Sequence, residues 1–143
     1  MDSKADDRAT KVVAGLIYKD GLLLVCQRRR GAAFPLMWEF PGGKVEIGES
    51  DMEALHRELR EELGIEICAA RLVCQYEHSY SDGPTVSLRF YYIQEFGGEI
   101  ENLIFEQISW CKLDDIARLD FLEGDRPIIQ KLLLDGGVAF IGR

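Results

Sequence analysis

The spacing of hydrophobic positions changes several times along this chain, which indicates a mixture of strands and helices. Two apolar runs, residues 12–18 and 22–26, are separated only by Lys19-Asp20-Gly21. An Asp-Gly pair between apolar runs is a strong signal for a tight turn, so this segment predicts a β-hairpin. Residues 1–10 are largely polar and predict a flexible N-terminal tail.

The clearest helix in the sequence is predicted over Asp51–Leu63. Ser50 and Glu53 have the S-x-x-E spacing of a capping box, which makes Ser50 the N-cap. Gly64 supplies the signal that ends the helix. Three leucines recur every four residues on one face, which we expect to be buried: Leu55, Leu59 and Leu63.

Strand-like stretches follow this helix at residues 70–78, 86–96 and 108–110. The turns between them are predicted at Ser81-Asp82-Gly83-Pro84 and at Gly97-Gly98. These runs are rich in apolar and aromatic residues, as is typical of strands.

A last helix is predicted over Arg126–Leu134. Asp125 is the expected N-cap, Pro127 lies in the first turn, and Gly136 follows the end. The chain contains no repeat or low-complexity segment. Strands and helices mixed in this way predict an α+β fold in one domain.

The overall charge excludes one class of function and raises a question about another. The chain of 143 residues has a formal net charge of −8, which argues against a nucleic-acid-binding surface. An acidic enzyme can act on polyphosphates only if cations stand between protein and substrate. No apolar run reaches the roughly 20 residues of a membrane helix, and no signal peptide is recognisable, so a cytoplasmic location is predicted.

The four cysteines show neither CxxC pairing nor zinc-like spacing with the two histidines. Isolated thiols in a cytoplasmic chain usually pack as small hydrophobic residues, which is the role expected here.

Three carboxylates of the first helix are the strongest candidates for chemistry. Glu58, Glu61 and Glu62 have the i+3 and i+4 spacings that place side chains on the same side of a helix. Carboxylates this close repel one another unless a cation neutralises them, and their hard oxygens suit Mg²⁺ or Mn²⁺. Glu46 and Glu49 add acids in the preceding loop, and Arg57 can bind the cluster by charge-assisted hydrogen bonds. A solvated acidic helix face is the alternative.

The order of residues around this cluster resembles the Nudix box. Gly43, five residues, Glu49, seven residues and then the segment 57–65 match every fixed position of that motif. The flanking segment 38–46 is similar to the MutT branch of the family, and a looser agreement extends to residues 125–129. The resemblance implies a single Nudix domain over residues 11–143. The fold it implies is an α/β/α sandwich, with the catalytic helix and a C-terminal helix packed on a mixed sheet.

The resemblance also implies a reaction. MutT-like enzymes hydrolyse a nucleoside triphosphate to the monophosphate and pyrophosphate. By that resemblance Glu58 and Glu62 bind Mg²⁺ (with Mn²⁺ as a substitute), the Gly42 carbonyl contributes, and Glu61 assists. One of the carboxylates orients or deprotonates the attacking water. Arg57 orients Glu49 and Glu58.

Residues outside the box are expected to complete the site. A further metal-binding glutamate could be Glu99, Glu101 or Glu106, and Glu106 is the first choice because it precedes the strand at 108–110. An ordinary exposed glutamate is the alternative. The substrate-binding residues expected by the same resemblance are Arg28 for phosphate, then Glu39, Phe40, Pro41, Gly42 and Asp125.

Asp125 replaces an asparagine that reads the base in MutT enzymes preferring oxidised guanine. An amide can donate to O6 and accept from N7–H together, whereas an ionised aspartate only accepts. An aspartate with a raised pKa would be protonated and could donate. The predicted substrate is 8-oxo-dGTP, and the alternative is CTP, dCTP or a 5-modified pyrimidine triphosphate, whose exocyclic amine suits an aspartate. A role as helix cap alone also remains open.

Two other functions are also considered as alternatives. One is a Nudix enzyme acting on ADP-ribose or a dinucleoside polyphosphate, and the other is a catalytically silent domain that binds a nucleotide. The expected partner is a small-molecule nucleoside triphosphate, with no nucleic acid and no membrane. A monomer or homodimer is expected.

Overall fold

The structure is a computed structural model that describes residues 9–81, 83–137 and 141. Residues 1–8 of the predicted tail and Asp82 of the predicted turn lie outside the described residues. The elements are, in chain order, β1 (Thr10–Leu16), β2 (Tyr18–Lys19), β3 (Leu22–Gln27), β4 (Trp38–Glu39), β5 (Gly42–Lys44), α1 (Asp51–Leu63), β6 (Glu66–Ser79), β7 (Thr85–Gly97), β8 (Gln107–Cys111), α2 (Leu113–Ile116), a 3₁₀ turn (Glu123–Asp125) and α3 (Arg126–Leu134).

The strands form two sheets. The first has the order β5-β1-β7-β6 and is mixed, because β1 runs parallel to β7 while the other pairs are antiparallel. The second is antiparallel, with the order β2-β3-β4 and with β8 also paired to β3. The predicted α+β class with a mixed sheet is therefore confirmed.

The predicted hairpin is correct only at its tip. Tyr18 pairs with Leu23 and Lys19 with Leu22, and the turn residue Asp20 has a positive φ of 53°. The longer run β1 does not pair with β3, because β1 pairs with β5 and β7 in the first sheet and the chain enters the second sheet only at β2. An apolar run buried on both faces carries no information about which sheet it joins.

Side chains of the central strands alternate between two hydrophobic layers, as a sandwich requires. Val13 and Leu24 pack in the layer under α1, which contains Leu55, Leu59 and Leu63. Their neighbours Ala14 and Val25 point to the other layer, which contains α3. The sheets therefore lie between the predicted catalytic helix and the C-terminal helix.

Helix α1 has the predicted bounds and caps. The Ser50 hydroxyl accepts from the Glu53 N–H at 3.1 Å, and the Glu53 carboxylate accepts from the Ser50 N–H at 2.8 Å. Gly64 closes the helix with a left-handed φ of 72°. This rigid frame sets the position of every carboxylate on the helix.

Helix α3 also has the predicted bounds, but its start differs from expectation. Asp125 occupies the N-cap position, yet its side chain makes no capping hydrogen bond. It is directed into the molecule, where it accepts a hydrogen bond from the Phe40 N–H. Within the described ranges, no helix is long and apolar enough to cross a membrane.

The cysteines only partly follow the expected role as core residues. All four are free thiols, and Cys26 is buried in the layer under α1. Cys74 and Cys111 are half-buried, whereas Cys68 is exposed.

Candidate active site

The turn at β5 brings a backbone N–H against a buried carboxylate of α1. The Gly42 N–H donates to Glu62 Oε1 at 3.0 Å, and Glu62 is only 7% exposed. Burial holds the pKa of Glu62 well above its usual range, and the adjacent Glu58 carboxyl adds to this by sharing a hydrogen bond with it. Two acids of one helix therefore meet at one point beside the turn.

Two glycines are required for this close approach. A Cβ at Gly43 would overlap the Glu58 carboxylate, so the helix can rest directly on β5 only where a side chain is missing. Gly42 has a φ of 152°, and a Cβ there would collide with the Val13 carbonyl. The Pro-Gly-Gly turn is thus shaped to receive the carboxylates.

Arg57 organises the remaining acids. Its guanidinium donates to both oxygens of Glu49, at 2.7 and 3.0 Å, and to Glu58 at 2.9 Å. The hydrogen bonds from Arg57 and a backbone N–H from Glu46 lower the pKa of Glu49 to about 2. Arg57 itself is held firmly protonated by these partners. Glu58 is therefore fixed between an arginine on one side and Glu62 on the other.

The arrangement suits a divalent cation at Glu58 and Glu62. Both carboxylates are poorly exposed, and in the absence of a cation a proton must relieve the repulsion between them. Hard carboxylate oxygens are the donors that Mg²⁺ prefers. Over residues 9–81, 83–137 and 141, no group of three or more acidic, histidine or cysteine side chains is placed to hold a metal ion.

A cleft of about 700 Å³ begins at this turn and extends to the start of α3. Arg28 borders it and donates to Glu39 at 3.0 Å and to the Ala33 carbonyl at 2.6 Å. Burial raises the pKa of Glu39, although Arg28 opposes the shift. The cleft therefore combines a cationic side chain with largely apolar walls.

Asp125 closes the far end of the cleft. It is buried, and its Oδ2 accepts from the Phe40 N–H at 3.2 Å. Burial raises its pKa to about 7, against the opposing effect of that hydrogen bond. A buried carboxyl group with a raised pKa therefore lines the same cleft as Glu62.

Comparison with known proteins identifies the family to which this arrangement belongs. The NUDIX domain profile matches residues 8–132. The chain belongs to the Nudix hydrolase family. It is an enzyme of that family, whose members generally use divalent metal ions.

Relatives of the Nudix chain include one protein named a pyrophosphohydrolase and one named a diphosphatase. It is 33% identical over 123 residues to the CTP pyrophosphohydrolase of Escherichia coli strain K12, covering 86% of this chain and 90% of that protein. It is 34% identical over 131 residues to the 8-oxo-dGTP diphosphatase of Haemophilus influenzae, covering 90% and 94%. The crystal structure of a MutT Nudix hydrolase from Burkholderia pseudomallei superposes with a TM-score of 0.75, at 28% identity and with 86% and 97% coverage.

Most of the predicted substrate-binding residues border the cleft of this Nudix enzyme: Arg28, Glu39, Phe40, Gly42 and Asp125. Pro41 does not, because it is buried and its carbonyl accepts from the Gly15 N–H at 2.8 Å. Lys44 borders the cleft although it was not among the expected residues.

The other two predicted metal-binding acids, Glu61 and Glu106, each lie beside an arginine. The side chain of Glu61 is 60% exposed, and its Oε1 lies 3.7 Å from Arg57 Nη1. Glu61 also borders a shallow hollow lined by residues of α1. Glu106 lies beside the exposed Arg30, at 3.8 Å. Their expected roles in metal binding remain predictions.

Sequence reasoning missed an apolar part of the cleft. Phe34, Tyr80, Val86 and Leu88 all border it. An aromatic residue in the glycine-containing basic loop was a usable signal for Phe34. Val86 and Leu88 looked like ordinary strand residues, and only the pairing of the strands shows which face they line.

Proposed function

We propose that this Nudix hydrolase cleaves a nucleoside triphosphate to the monophosphate and pyrophosphate, with 8-oxo-dGTP as its preferred substrate. The observation that carries the preference is Asp125, a buried carboxyl with a pKa of about 7 at the end of the cleft. When protonated, it offers one donor and one acceptor, as an amide does. It could then donate to O6 of the oxidised purine and accept from N7–H.

The acidic end of the cleft supports the proposed chemistry. Glu58 and Glu62 would hold Mg²⁺, or Mn²⁺ as a substitute, with the Gly42 carbonyl contributing and Glu61 assisting. A bound divalent cation neutralises charge on the phosphoryl oxygens and acidifies water. Arg57 would keep Glu58 aligned, since it donates to that carboxylate at 2.9 Å.

The bond changes follow from the proposed products. A water oxygen bonds to the β-phosphorus as the bond from that phosphorus to the α–β bridging oxygen breaks. The nucleoside monophosphate leaves with the bridging oxygen, and a carboxylate of the cluster accepts the water proton. Arg28 would bind a phosphate of the substrate, which requires it to exchange Glu39 or Ala33 for phosphate oxygens.

CTP or another cytosine triphosphate is the second candidate, and the same residue favours it at higher pH. Ionised Asp125 can accept from the exocyclic amine of cytosine but repels O6 of a purine. The CTP pyrophosphohydrolase of Escherichia coli is among the relatives of this chain.

A panel of triphosphates tests both candidates. Released pyrophosphate should be measured with Mg²⁺ between pH 6 and pH 9 for 8-oxo-dGTP, dGTP, CTP, dCTP and 5-methyl-dCTP. We expect the 8-oxo-dGTP to CTP ratio of kcat/KM to fall by at least about tenfold as pH rises through 7. A ratio that favours CTP throughout would establish the second candidate, and no turnover of any member would remove the pyrophosphohydrolase proposal.

We further propose that the enzyme works in the cytoplasm on free nucleotides, as a monomer or homodimer and without nucleic acid or membrane. The net charge of −8 supports the exclusion of nucleic acid. Binding to DNA at physiological salt would contradict this part of the proposal.

A further inference from the structure

Two aromatic side chains meet at the rim of the cleft. The rings of Phe34 and Tyr80 have centroids 5.8 Å apart and planes inclined by 31°. Phe34 comes from the loop between β3 and β4, and Tyr80 follows the last residue of β6. Phe34 is 50% exposed, so its ring is not part of the hydrophobic core. An aromatic pair at the mouth of a cleft is available to a ligand.

The pair lies at the Asp125 end of the cleft. The Tyr80 hydroxyl lies 3.0 Å from the position that a Cβ of Gly124 would occupy. Burial raises the pKa of Tyr80, and the charge of Asp125 adds to the shift. The ring of His78 packs edge-on against Tyr80, with the two ring centroids 4.5 Å apart. The aromatic pair therefore lies close to Asp125, the residue proposed above to read the base.

A buried apolar wall borders the same cleft. Val86 and Leu88 of β7 are 9% and 5% exposed, and both border the cleft together with Phe34 and Tyr80. A planar base whose edge is read by Asp125 can place one face against this wall. Its other face would then be turned toward the aromatic pair.

The backbone holds Phe34 in an unusual conformation. Its φ is 52° and that of Leu36 is 63°, values that bulky L-residues rarely adopt. Arg28 supports the loop, because its carbonyl accepts from the Leu36 N–H at 3.0 Å and its guanidinium binds the Ala33 carbonyl. Such conformations persist where surrounding contacts enforce them, and they concentrate at ligand-binding sites.

We propose that Phe34 and Tyr80 cover the outward face of the substrate base by stacking, and so contribute affinity for the nucleoside part alone. The inference rests on the proposed function, because it assigns the base to the Asp125 end. Stacking on an aromatic ring tolerates any base, since every base has a π face. The pair thus supplies affinity, while Asp125 supplies the choice of base.

Binding of the reaction product separates this role from catalysis. The Kd of 8-oxo-dGMP and of dCMP should be measured by calorimetry for the wild type and for Phe34→Ala, Tyr80→Ala, Tyr80→Phe and Phe34→Trp. We expect the two alanine variants to bind both monophosphates at least about tenfold more weakly. Tyr80→Phe and Phe34→Trp should stay within about threefold of the wild type, because each keeps an aromatic face.

Turnover of the triphosphate provides the second measurement. The alanine variants should raise KM by a similar factor and leave kcat within about threefold. Leu134→Ala is the matched control, since Leu134 is 83% exposed and lies at the end of α3 outside the cleft. Leu134→Ala should leave both KM and kcat unchanged.

The outcomes distinguish this inference from the proposed function. If the wild type hydrolyses triphosphates but the alanine variants keep normal Kd and KM values, the stacking role alone is wrong. If the aromatic variants lose as much affinity as the alanine variants, the loop has a structural role, and the proposed stacking role is again wrong. If monophosphates bind and depend on the rings while no triphosphate is hydrolysed, stacking stands and the proposed reaction fails. A wild type that neither binds nor hydrolyses nucleotides would remove both.

Discussion

Arg89 binds both carboxylate oxygens of Asp51 through Nη1, at 2.9 Å each, and so ties the first turn of α1 to β7. The Tyr91 hydroxyl donates to the same carboxylate at 2.9 Å. Glu58 and Glu62 follow Asp51 by about two and three turns of helix, so all three lie on the same side of α1. Anchoring Asp51 therefore fixes the rotation that directs both glutamates toward β5.

Asp51→Asn should lower the free energy of unfolding by about 1–3 kcal/mol, because it leaves the poorly exposed Arg89 without its charged partner. Urea unfolding monitored by fluorescence measures the free energy of unfolding of each variant. Arg118→Met is the control, since the Arg118–Asp115 pair is largely exposed and should contribute less than about 1 kcal/mol. Equal stabilities of the two variants would contradict the anchoring role of Asp51.

Gly43→Ala should reduce kcat by at least about tenfold, because the added Cβ would displace the Glu58 carboxylate from the turn. The comparison is Gly97→Ala, where a Cβ meets no atom within 4 Å and φ is not positive. Steady-state kinetics with one triphosphate measure kcat for both variants. Normal turnover of Gly43→Ala would show that Glu58 can move without loss of function.

Glu62→Gln should lower turnover by at least about a hundredfold with the fold intact. The amide oxygen can still accept from the Gly42 N–H, but the side chain can no longer carry the charge that a cation requires. Circular dichroism verifies the fold, and Glu77→Gln on the exposed side of β6 serves as the control. Near-normal activity of Glu62→Gln would remove Glu62 from the proposed metal site.

Asp125→Asn should flatten the pH dependence of stability between pH 4 and pH 7. The pKa of Asp125 is raised by folding from 3.8 to about 7, so the folded state binds the proton more tightly. The resulting stabilisation is fully present below pH 4 and is lost as pH rises through 7. Each pKa unit represents 1.36 kcal/mol, so the wild type should lose about 4 kcal/mol relative to the variant over this range.

Chemical unfolding of both proteins at several pH values measures this difference. The same variant should also hold the 8-oxo-dGTP to CTP ratio constant between pH 6 and pH 9. A constant stability difference would mean that folding does not raise the pKa of Asp125. A substrate ratio that still varies with pH in the variant would assign base reading to another group.

Several elements were predictable because their signals are local. Ser50 and Glu53 cap α1 through neighbours three residues apart, and Gly64 ends it through its own φ. The spacing that places Glu58 and Glu62 on one side of a helix is likewise a property of the helix alone.

Other features depend on contacts between distant parts of the chain. Asp125 has the sequence position of a helix cap, yet it accepts from the N–H of Phe40, 85 residues away. The β1 run was expected to pair with β3, but hydrogen bonds to β5 and β7 place it in the other sheet. Local propensity cannot choose among partners that all satisfy the backbone.

The sequence by itself determined helix α1, the acids on it and the family of the enzyme. Only the tertiary structure decided that Glu62 is buried against Gly42, that Asp125 titrates near neutral pH, and that Phe34 meets Tyr80. The physical reason is the same in each case. Burial and the pKa shifts that follow from it arise when separate segments exclude water together, and no short stretch of sequence specifies that environment.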